Sequence, residues 1–180
     1  MGTGTRERIL DALRHVLASG GASAVTLESV AAQAGLSKGG LLYHFKTKQS
    51  LYDGLLDAAL VEVTAAMAER TARLSPAHAY LDYALPESEE EAAYTAALIA
   101  AIRADDAVGP DAAERLAETF RRWDAPLLAG VADPILAETI RLVGHGLYLG
   151  AVAGLPAPPP EVLRQVMDRL VTSADTTEDP

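Results

Sequence analysis

Apolar residues recur at every third or fourth position along most of this chain, which is the pattern of amphipathic helices. The first such segment runs from about Thr5 to Ser19 and ends at Gly20-Gly21. Its predicted buried stripe consists of Ile9, Leu13, Val16 and Leu17. No segment has the strict alternation that a half-buried strand requires, so the sequence predicts an all-α fold.

Two short helices are predicted on either side of Gly35. Thr26 has the character of an N-cap, and the apolar residues after it fall on one helical face: Leu27, Val30, Ala31 and Ala34. Gly35 supplies the unusual backbone of a tight turn, and Ser37 caps the next helix, whose Leu41 and Phe45 point inward. This is a helix-turn-helix pattern, in which the second helix enters the major groove of DNA.

Beyond Lys46 the same periodicity predicts six further helices, giving about nine in all. A long one, capped by Thr47, reaches about Arg73, and Ser88 has capping-box spacing to Glu91. Pro110 suits a first helical turn after a loop that contains Asp105-Asp106. The later helices are predicted at Ala112–Leu128, Asp133–Ala153 and Glu161–Val171. We therefore expect a DNA-binding domain at 1–46, a second helical domain at 47–173, and a disordered tail at 174–180.

Charge divides the chain in the same way. The net charge is −10, yet residues 1–50 hold six Lys and Arg against three acidic residues, a net charge of +3, and the rest carries −13. A basic head on an acidic body is expected of a duplex-binding module joined to a part with another role.

Composition excludes several other classes. The chain has no cysteine, which removes disulfides, thiolate nucleophiles and cysteine-ligated zinc. No uninterrupted apolar run reaches the roughly 18 residues of a membrane span, and the first residues lack the apolar core of a signal peptide. We expect a cytoplasmic protein without a cofactor, a metal or a membrane partner.

The run from Gly35 to Lys48, GLSKGGLLYHFKTK, preceded by Thr26 and Val30-Ala31, resembles the TetR family of bacterial transcriptional regulators. The resemblance is specific over about residues 5 to 55 and is only architectural beyond them. Gly40 departs from the usual pattern, as does Leu42, which stands where a tyrosine is common. The resemblance implies a repressor that binds a near-palindromic operator as a homodimer and is released by a small-molecule effector, with 47–173 as the effector-binding and dimerisation domain.

The predicted DNA-binding residues are Thr26, Ser37, Lys38, Gly39, Gly40, Leu42, Tyr43, His44 and Lys48. Lys38 could donate to guanine, and Leu42 could pack on a thymine methyl or be partly buried instead. The two glycines would let the helix backbone come close to the groove wall. The resemblance implies that Lys48, Tyr43 and His44 approach phosphates, although His44 could also lie at the edge of the core. Glu28 could accept from cytosine or remain solvated.

A single reading helix covers few base pairs, so dimerisation is expected. The resemblance implies that the last two helices pair with their symmetry mates. The predicted interface consists of Gly146, Gly150, Gly154, Leu163, Val166, Met167 and Leu170, and the alternative is that the glycines pack inside one chain.

The body also holds most of the aromatic residues. Those predicted to surround a small-molecule effector are Tyr83, Tyr94, Phe120, Trp123, His145 and Tyr148. They could equally be ordinary core residues, and His145 could belong to the dimer interface.

Two other classes of function compete with a regulator. An enzyme is disfavoured because the four histidines are scattered and no paired-carboxylate spacing appears. A helical protein-interaction module, or a regulator without a small-molecule ligand, remains the main alternative.

Overall fold

The computed structural model describes residues 4–104 and 108–176. Over these residues the chain forms nine α-helices and one turn of 3₁₀ helix, and no strand. The helices are α1 (Thr5–Gly20), α2 (Leu27–Gln33), α3 (Lys38–His44), α4 (Lys48–Thr71), α5 (Pro76–Asp82), α6 (Glu89–Arg103), α7 (Ala112–Gly130), α8 (Pro134–Val152) and α9 (Pro160–Thr176). The predicted all-α fold is confirmed.

Side-chain caps fix where the helices of the helix-turn-helix begin. The Thr26 hydroxyl accepts from the Ser29 backbone N–H at 2.9 Å, and the Ser37 hydroxyl accepts from that of Gly40 at 3.1 Å. Between them Gly35 has φ of 67°, a left-handed backbone that favours glycine. These local interactions are the ones predicted from the sequence, and they set the angle at which α3 leaves α2.

The first compact unit contains the described residues up to Ala59 together with those from Glu87 to Leu116. Its core joins the inner faces of α1, α2 and α3 to the first half of α4, and α6 packs along α1. Leu13, Leu41 and Leu51 are completely buried there. The unit therefore extends well past residue 46, because α6 returns to cover the apolar face of α1 that the short helices leave open.

The second compact unit contains Leu60–Pro86 and the described residues from Ala117 onwards. Helix α5 packs against both α8 and α9, around a core that includes Tyr80, Leu127 and Ile140. Gly144 on α8 permits this packing, because a Cβ there would lie 2.4 Å from Cε1 of Tyr80.

The predicted place of Pro110 and the predicted end of the last helix differ from the structure. Helix α7 begins at Ala112, so Pro110 lies in the turn before it and not in its first turn. Helix α9 continues to Thr176, and the buried Ala174 holds its last turn on the core, so residues 174–176 are helical and not a disordered tail. Asp105-Asp106 and residues 177–180 lie outside the described residues.

Helix α8 is the one described helix that is long and apolar enough to cross a membrane, by length and composition only. Glu138 and Arg141 interrupt its apolar run, and just 17% of the apolar window is buried within the chain. The helix packs through Ala137, Ile140 and Gly144, and it leaves large apolar side chains exposed on another face.

Candidate nucleic-acid interface and effector site

Helix α3 has one buried face and one open face. Leu41 and, just after the helix, Phe45 are buried, whereas Lys38, Tyr43 and His44 are exposed. Tyr43 is 85% exposed, and its ring meets that of His44 edge-on at 5.2 Å between centroids. An aromatic residue so open makes little contribution to folding. Tyr43, which is predicted to approach a DNA phosphate, is therefore accessible to another molecule.

Leu42 is half-buried, between the two alternatives that the sequence left open. His44 is exposed and not at the edge of the core. Thr26 and Ser37 are exposed caps, so their hydroxyls already accept one hydrogen bond each from the chain. The Ser37 hydroxyl still has a proton to donate, whereas the Thr26 hydroxyl donates to the Ser29 hydroxyl at 3.1 Å.

Lys48 has a role within the fold. Its ammonium donates to the carbonyl of Ala22 at 3.3 Å and lies 5.9 Å from the ring centroid of Tyr52. These contacts offset the unfavourable position of a cation in the first turn of α4. A phosphate opposite Lys48 is therefore not needed to explain the residue, although the half-buried side chain still presents part of its surface.

Lys38 is not a free cation in this structure. Its ammonium lies 2.5 Å from Oε1 of Glu28, in the first turn of α2. The hydrogen bond from Lys38 is the largest of the effects that lower the pKa of the Glu28 carboxyl. Both side chains are more than half exposed, at 56% and 62%. The pair thus lies on the open surface of the helix-turn-helix, and the sequence alone did not predict that the two residues meet.

The two glycines of α3 differ in the room that the chain leaves beside them. A Cβ on Gly39 would have its nearest neighbour at 4.0 Å, the Ser37 hydroxyl, and one on Gly40 would meet the same atom at 3.3 Å. Gly39 is therefore not required by packing within the chain. Glycine weakens a helix, and no contact within the chain explains why glycine stands at position 39. This agrees with the prediction that the helix backbone comes close to DNA.

Five of the six predicted effector residues lie in one aromatic cluster of the second unit: Tyr83, Phe120, Trp123, His145 and Tyr148. Trp123 is at the centre, with ring centroids of the other four between 5.3 and 5.9 Å away. Trp123 is buried, while the other four are partly exposed. The cluster thus has a closed floor and an accessible edge.

Tyr94, the sixth predicted residue, belongs to the first unit. It packs against the core there, with the Arg14 guanidinium 5.8 Å from its ring centroid. Its environment is that of a core-edge residue on α6. Tyr94 is therefore not part of the aromatic cluster.

The cluster includes two residues absent from the predicted site, Tyr80 and Asp124. Tyr80 stacks on Trp123 at 4.7 Å and donates its hydroxyl to the carbonyl of Arg141 at 3.1 Å. Burial, and next the nearby Asp124 charge, raise the pKa of Tyr80 well above its usual value. Tyr80 was visible in the sequence as one more aromatic residue, but nothing in the helical periodicity marks Asp124 as buried.

Asp124 carries a buried carboxylate beside these rings. Its Oδ1 lies 2.9 Å from Nε2 of His145, and its Oδ2 lies 3.9 Å from Nη1 of Arg141. Such partners are what a carboxylate needs when it leaves water. The cluster therefore combines flat apolar surfaces with one negative group. No set of three or more His, Asp or Glu side chains within the described ranges could hold a metal ion.

A separate groove of about 470 Å³ runs between α5 and α9. Its apolar lining is Leu81, Leu163, Met167 and Val171, and His78, Arg164 and Asp168 are among its polar residues. Leu163 and Met167 had been predicted at a dimer interface. In the chain they line this groove, and Met167 and Leu170 also pack on the core of their own unit.

Of the three glycines predicted at the dimer interface, Gly146 and Gly150 lie in α8 and Gly154 lies after it. A Cβ on Gly146 or Gly150 would meet nothing within 4 Å, so neither glycine serves packing inside the chain. Gly154 lies beyond the end of α8 with φ of 69°, and its N–H donates to the carbonyl of Ala151 at 3.0 Å. It is a helix-terminating glycine, which a spacing of four residues does not distinguish from an interface position.

The exposed apolar face of α8 contains side chains that the sequence reading missed. Ile135, Leu142 and Leu149 are 74%, 64% and 43% exposed and recur every seven residues, and Gly146 lies on the same stripe. On α9, Val162 and Val166 are 49% and 40% exposed. The seven-residue spacing of Ile135, Leu142 and Leu149 could have indicated this face from the sequence. It was hard to distinguish there because Val143 and Leu147, which pack inward, are apolar residues of the same helix.

Comparison with known proteins agrees with this architecture. Residues 9–55 match the family profile described as bacterial regulatory proteins, tetR family, and residues 74–175 match the tetracyclin repressor-like C-terminal domain. A 53-residue segment is 43% identical to the nucleoid occlusion factor SlmA of Vibrio vulnificus strain YJ016 and spans 27% of that relative. The chain thus covers about a quarter of the curated relative's length.

Two solved structures match nearly the whole chain. A transcriptional regulator from Rhodococcus sp. Rha1 is 25% identical with a TM-score of 0.71, covering 97% of both chains. The multidrug binding protein EbrR, complexed with malachite green, is 26% identical with a TM-score of 0.68, covering 92% of this chain and 97% of that one. Because both the N-terminal and the C-terminal family profiles match, this chain belongs to the TetR family of DNA-binding transcriptional regulators.

Proposed function

We propose that this protein is a repressor that binds a near-palindromic DNA operator as a homodimer and leaves it when a small molecule binds. The observation that supports DNA binding best is the open face of α3, where Lys38, Tyr43 and His44 are exposed beside buried Leu41. A generic helical hairpin accounts for the buried residue but not for this polar and aromatic face. The protein is proposed to act without catalysis and in the cytoplasm.

The proposed homodimer rests on the exposed stripe of α8. Ile135, Leu142 and Leu149 present apolar side chains that one chain leaves in contact with water, and Gly146 and Gly150 leave room for a close neighbour. Covering such a stripe with a second copy removes apolar surface from water at about 25 cal/mol per Å². The same covering accounts for the apolarity of α8 without a membrane. The operator would then consist of two half-sites in successive major grooves.

The proposed effector site is the aromatic cluster, with Tyr80 and Asp124 added to the predicted residues. Its half-buried rings offer flat surfaces, and the Asp124 carboxylate favours a neutral or cationic ligand over an anion. The similar protein EbrR was crystallised with malachite green, which supports an aromatic ligand. The regulator without a ligand, or with a protein partner, remains the second candidate, because Trp123 and Tyr80 already pack on each other.

Release requires that the effector bind better to a conformation whose two heads no longer fit the groove spacing. Helix α4 is the proposed lever, since it begins in the unit that contains α3 and ends in the unit that contains the aromatic cluster. A coupling of about 1–3 kcal/mol, typical of allosteric proteins, suffices for a usable switch.

A gel shift on DNA flanking the protein's own gene tests the proposal, with titration of salt. Binding that engages several phosphates should weaken steeply as salt rises, with a slope of about −0.9 per phosphate neutralised. Lys38→Ala should change base preference, and Lys48→Ala should weaken all sequences alike, once its folding is checked by circular dichroism. Absence of any salt-sensitive complex would favour the interaction-module alternative.

Thermal-shift screening of aromatic cations and neutral lipophiles tests the effector. A true effector should raise the melting temperature and lower operator affinity together, and Trp123→Phe should weaken both effects. A compound that stabilises the protein but leaves the operator complex intact would be bound adventitiously. In a reporter strain, repression should be relieved by the same compound.

A further inference from the structure

The ion pair between Glu28 and Lys38 joins the two helices of the helix-turn-helix on their open surface. Glu28 is the second residue of α2, and Lys38 is the first residue of α3, so the turn brings together residues ten positions apart. The ammonium and a carboxylate oxygen are 2.5 Å apart, and neither side chain is buried. The contact adds little to folding, because water screens the attraction between two exposed charges.

Few other side chains at the start of α3 can form hydrogen bonds with bases. Gly39 and Gly40 have no side chain, and the Ser37 hydroxyl, which accepts from the Gly40 N–H, has one proton left to donate but is not an anionic acceptor. Leu42 is apolar and half-buried. Glu28 therefore supplies an acceptor next to the one cationic donor of this segment.

A carboxylate in a DNA groove is repelled by the phosphates unless a cation accompanies it. Lys38 provides that cation, and its hydrogen bond to the carboxylate lowers the pKa of Glu28. In the major groove a G·C pair presents the acceptors O6 and N7 on guanine and, beside them, the N4 amine donor on cytosine. An A·T pair instead places its amine donor on adenine N6, between the N7 and O4 acceptors and away from the end of the edge that cytosine N4 occupies, so its order of donor and acceptors differs from that of a G·C pair.

We propose that Glu28 and Lys38 act as one unit that reads a single G·C pair, with Lys38 donating to guanine and Glu28 accepting from the cytosine N4 amine. This inference rests on the proposed DNA-binding function and specifies its base preference. Specificity at that position comes from a pair of complementary charges. Lys38 has a second task there, which is to neutralise Glu28 in the groove.

The test is selection from a randomised DNA library with the full-length protein, followed by affinity measurements on the selected sites. Wild type should prefer G·C at one position of each half-site. Glu28→Ala and Glu28→Gln should each lower the preference for cytosine at that position by about tenfold, the size of one good base contact. Preference elsewhere in the site should be unchanged.

A double-mutant cycle distinguishes a reading unit from two independent charges. Lys38→Ala alone leaves an unneutralised carboxylate facing the DNA, so it should bind more weakly than the Glu28→Ala/Lys38→Ala double variant. The matched control is Asp11→Ala, which removes an exposed acid paired with Arg14 at 3.1 Å on α1. It changes the net charge equally and should leave base preference unaltered.

If Glu28→Ala strengthened binding to all sequences alike, as Asp11→Ala would by charge alone, the pair would be a solvated ion pair and the inference would be wrong. The same conclusion would follow if the double variant bound no better than Lys38→Ala. Failure of wild type to select any sequence would overturn the proposed function as well, so the two failures are distinguishable. Circular dichroism of each variant checks that the helix-turn-helix remains folded.

Discussion

Two glycines at the start of α3 limit what single residues can do on the reading surface. Gly39 is exposed and has no close neighbour in the chain, so its backbone can approach another surface without a side chain in between. The hydrogen bonds available there come from Lys38 and Glu28, whose pairing depends on the turn at Gly35. At this scale the chemistry of the site is decided by a few exposed atoms.

Gly39→Ala should stabilise the free protein and weaken DNA binding. Alanine favours a helix interior over glycine by about 1 kcal/mol, and the new methyl group meets only the Ser37 hydroxyl at 4.0 Å. On DNA the methyl group would hold the backbone away from the groove wall. Urea unfolding and operator titration measure the two effects. An alanine variant that is more stable and binds DNA as well as wild type would show that close approach is not the reason for Gly39.

Tyr80→Phe should remove part of the alkaline sensitivity of folding. Burial raises the pKa of Tyr80 in the folded state, while the unfolded tyrosine ionises near its ordinary value of about 10. The stabilisation is therefore complete below that unfolded pKa, and it is lost as pH rises above it, because the unfolded state then binds fewer protons.

Chemical unfolding at pH 8 and pH 11 measures this difference. Wild type should lose more stability between the two values than Tyr80→Phe does. At pH 8 the variant should itself be less stable by about 1–3 kcal/mol, because the Arg141 carbonyl loses its hydrogen-bond donor. Equal pH dependence in both proteins would contradict the assigned environment of Tyr80.

Helix α8 shows how one element can serve two surfaces. Its inner face packs through Ala137, Ile140 and Gly144, and its outer face carries the exposed heptad of Ile135, Leu142 and Leu149. Glycines occur on both faces, and they have different reasons to be there. Gly144 makes room for the Tyr80 ring, whereas Gly146 leaves open space.

Gly144→Ala should destabilise the protein by about 1–3 kcal/mol, because its Cβ would lie 2.4 Å from a ring that Trp123 holds in place. Gly146→Ala is the matched control on the same helix and should stabilise the isolated chain by up to about 1 kcal/mol. Urea unfolding of both variants at low protein concentration makes the comparison. Similar effects of the two substitutions would contradict the two-sided description of α8.

At the scale of the whole molecule, the balance of charge and apolar surface points to assembly. Under the proposed function, the acidic residues beyond position 50 would repel DNA phosphates, and the exposed stripe of α8 would give a second copy an apolar surface to cover. A dimer would then present two reading helices to one operator. Once one head has bound its half-site, the second half-site would meet the other head at a high effective concentration. The dimer would therefore bind the operator more tightly than a single head.

Leu142→Asp should therefore convert a dimer into a monomer and lower operator affinity by at least about tenfold. The charge would be desolvated without a partner in the proposed interface. Size-exclusion chromatography with light scattering measures the mass, and a gel shift measures affinity. Val61→Asp, at a 67% exposed position of α4, is the matched control and should change neither. A Leu142→Asp protein that remains dimeric would mean that another surface pairs the copies.

The amino-acid sequence by itself determined the helices, their caps and the helix-turn-helix. Those features depend on neighbours within about four residues, such as the Thr26 and Ser37 caps and the φ of Gly35, so local spacing carries them. The end of α9 could not be predicted in this way. The helix continues to include Ala174 because that residue packs on a core made by distant parts of the sequence.

Only the tertiary structure decided which residues share a site. Asp124 is buried because α7 and α8 bring it to His145, Tyr94 is absent from the aromatic cluster because α6 folds back on α1, and Glu28 meets Lys38 because α2 and α3 cross at one turn. Helical periodicity says which face of a helix is apolar, but not which other helix covers it. Long-range packing alone makes that choice, so it separates a core residue from an exposed stripe and a free lysine from a paired one.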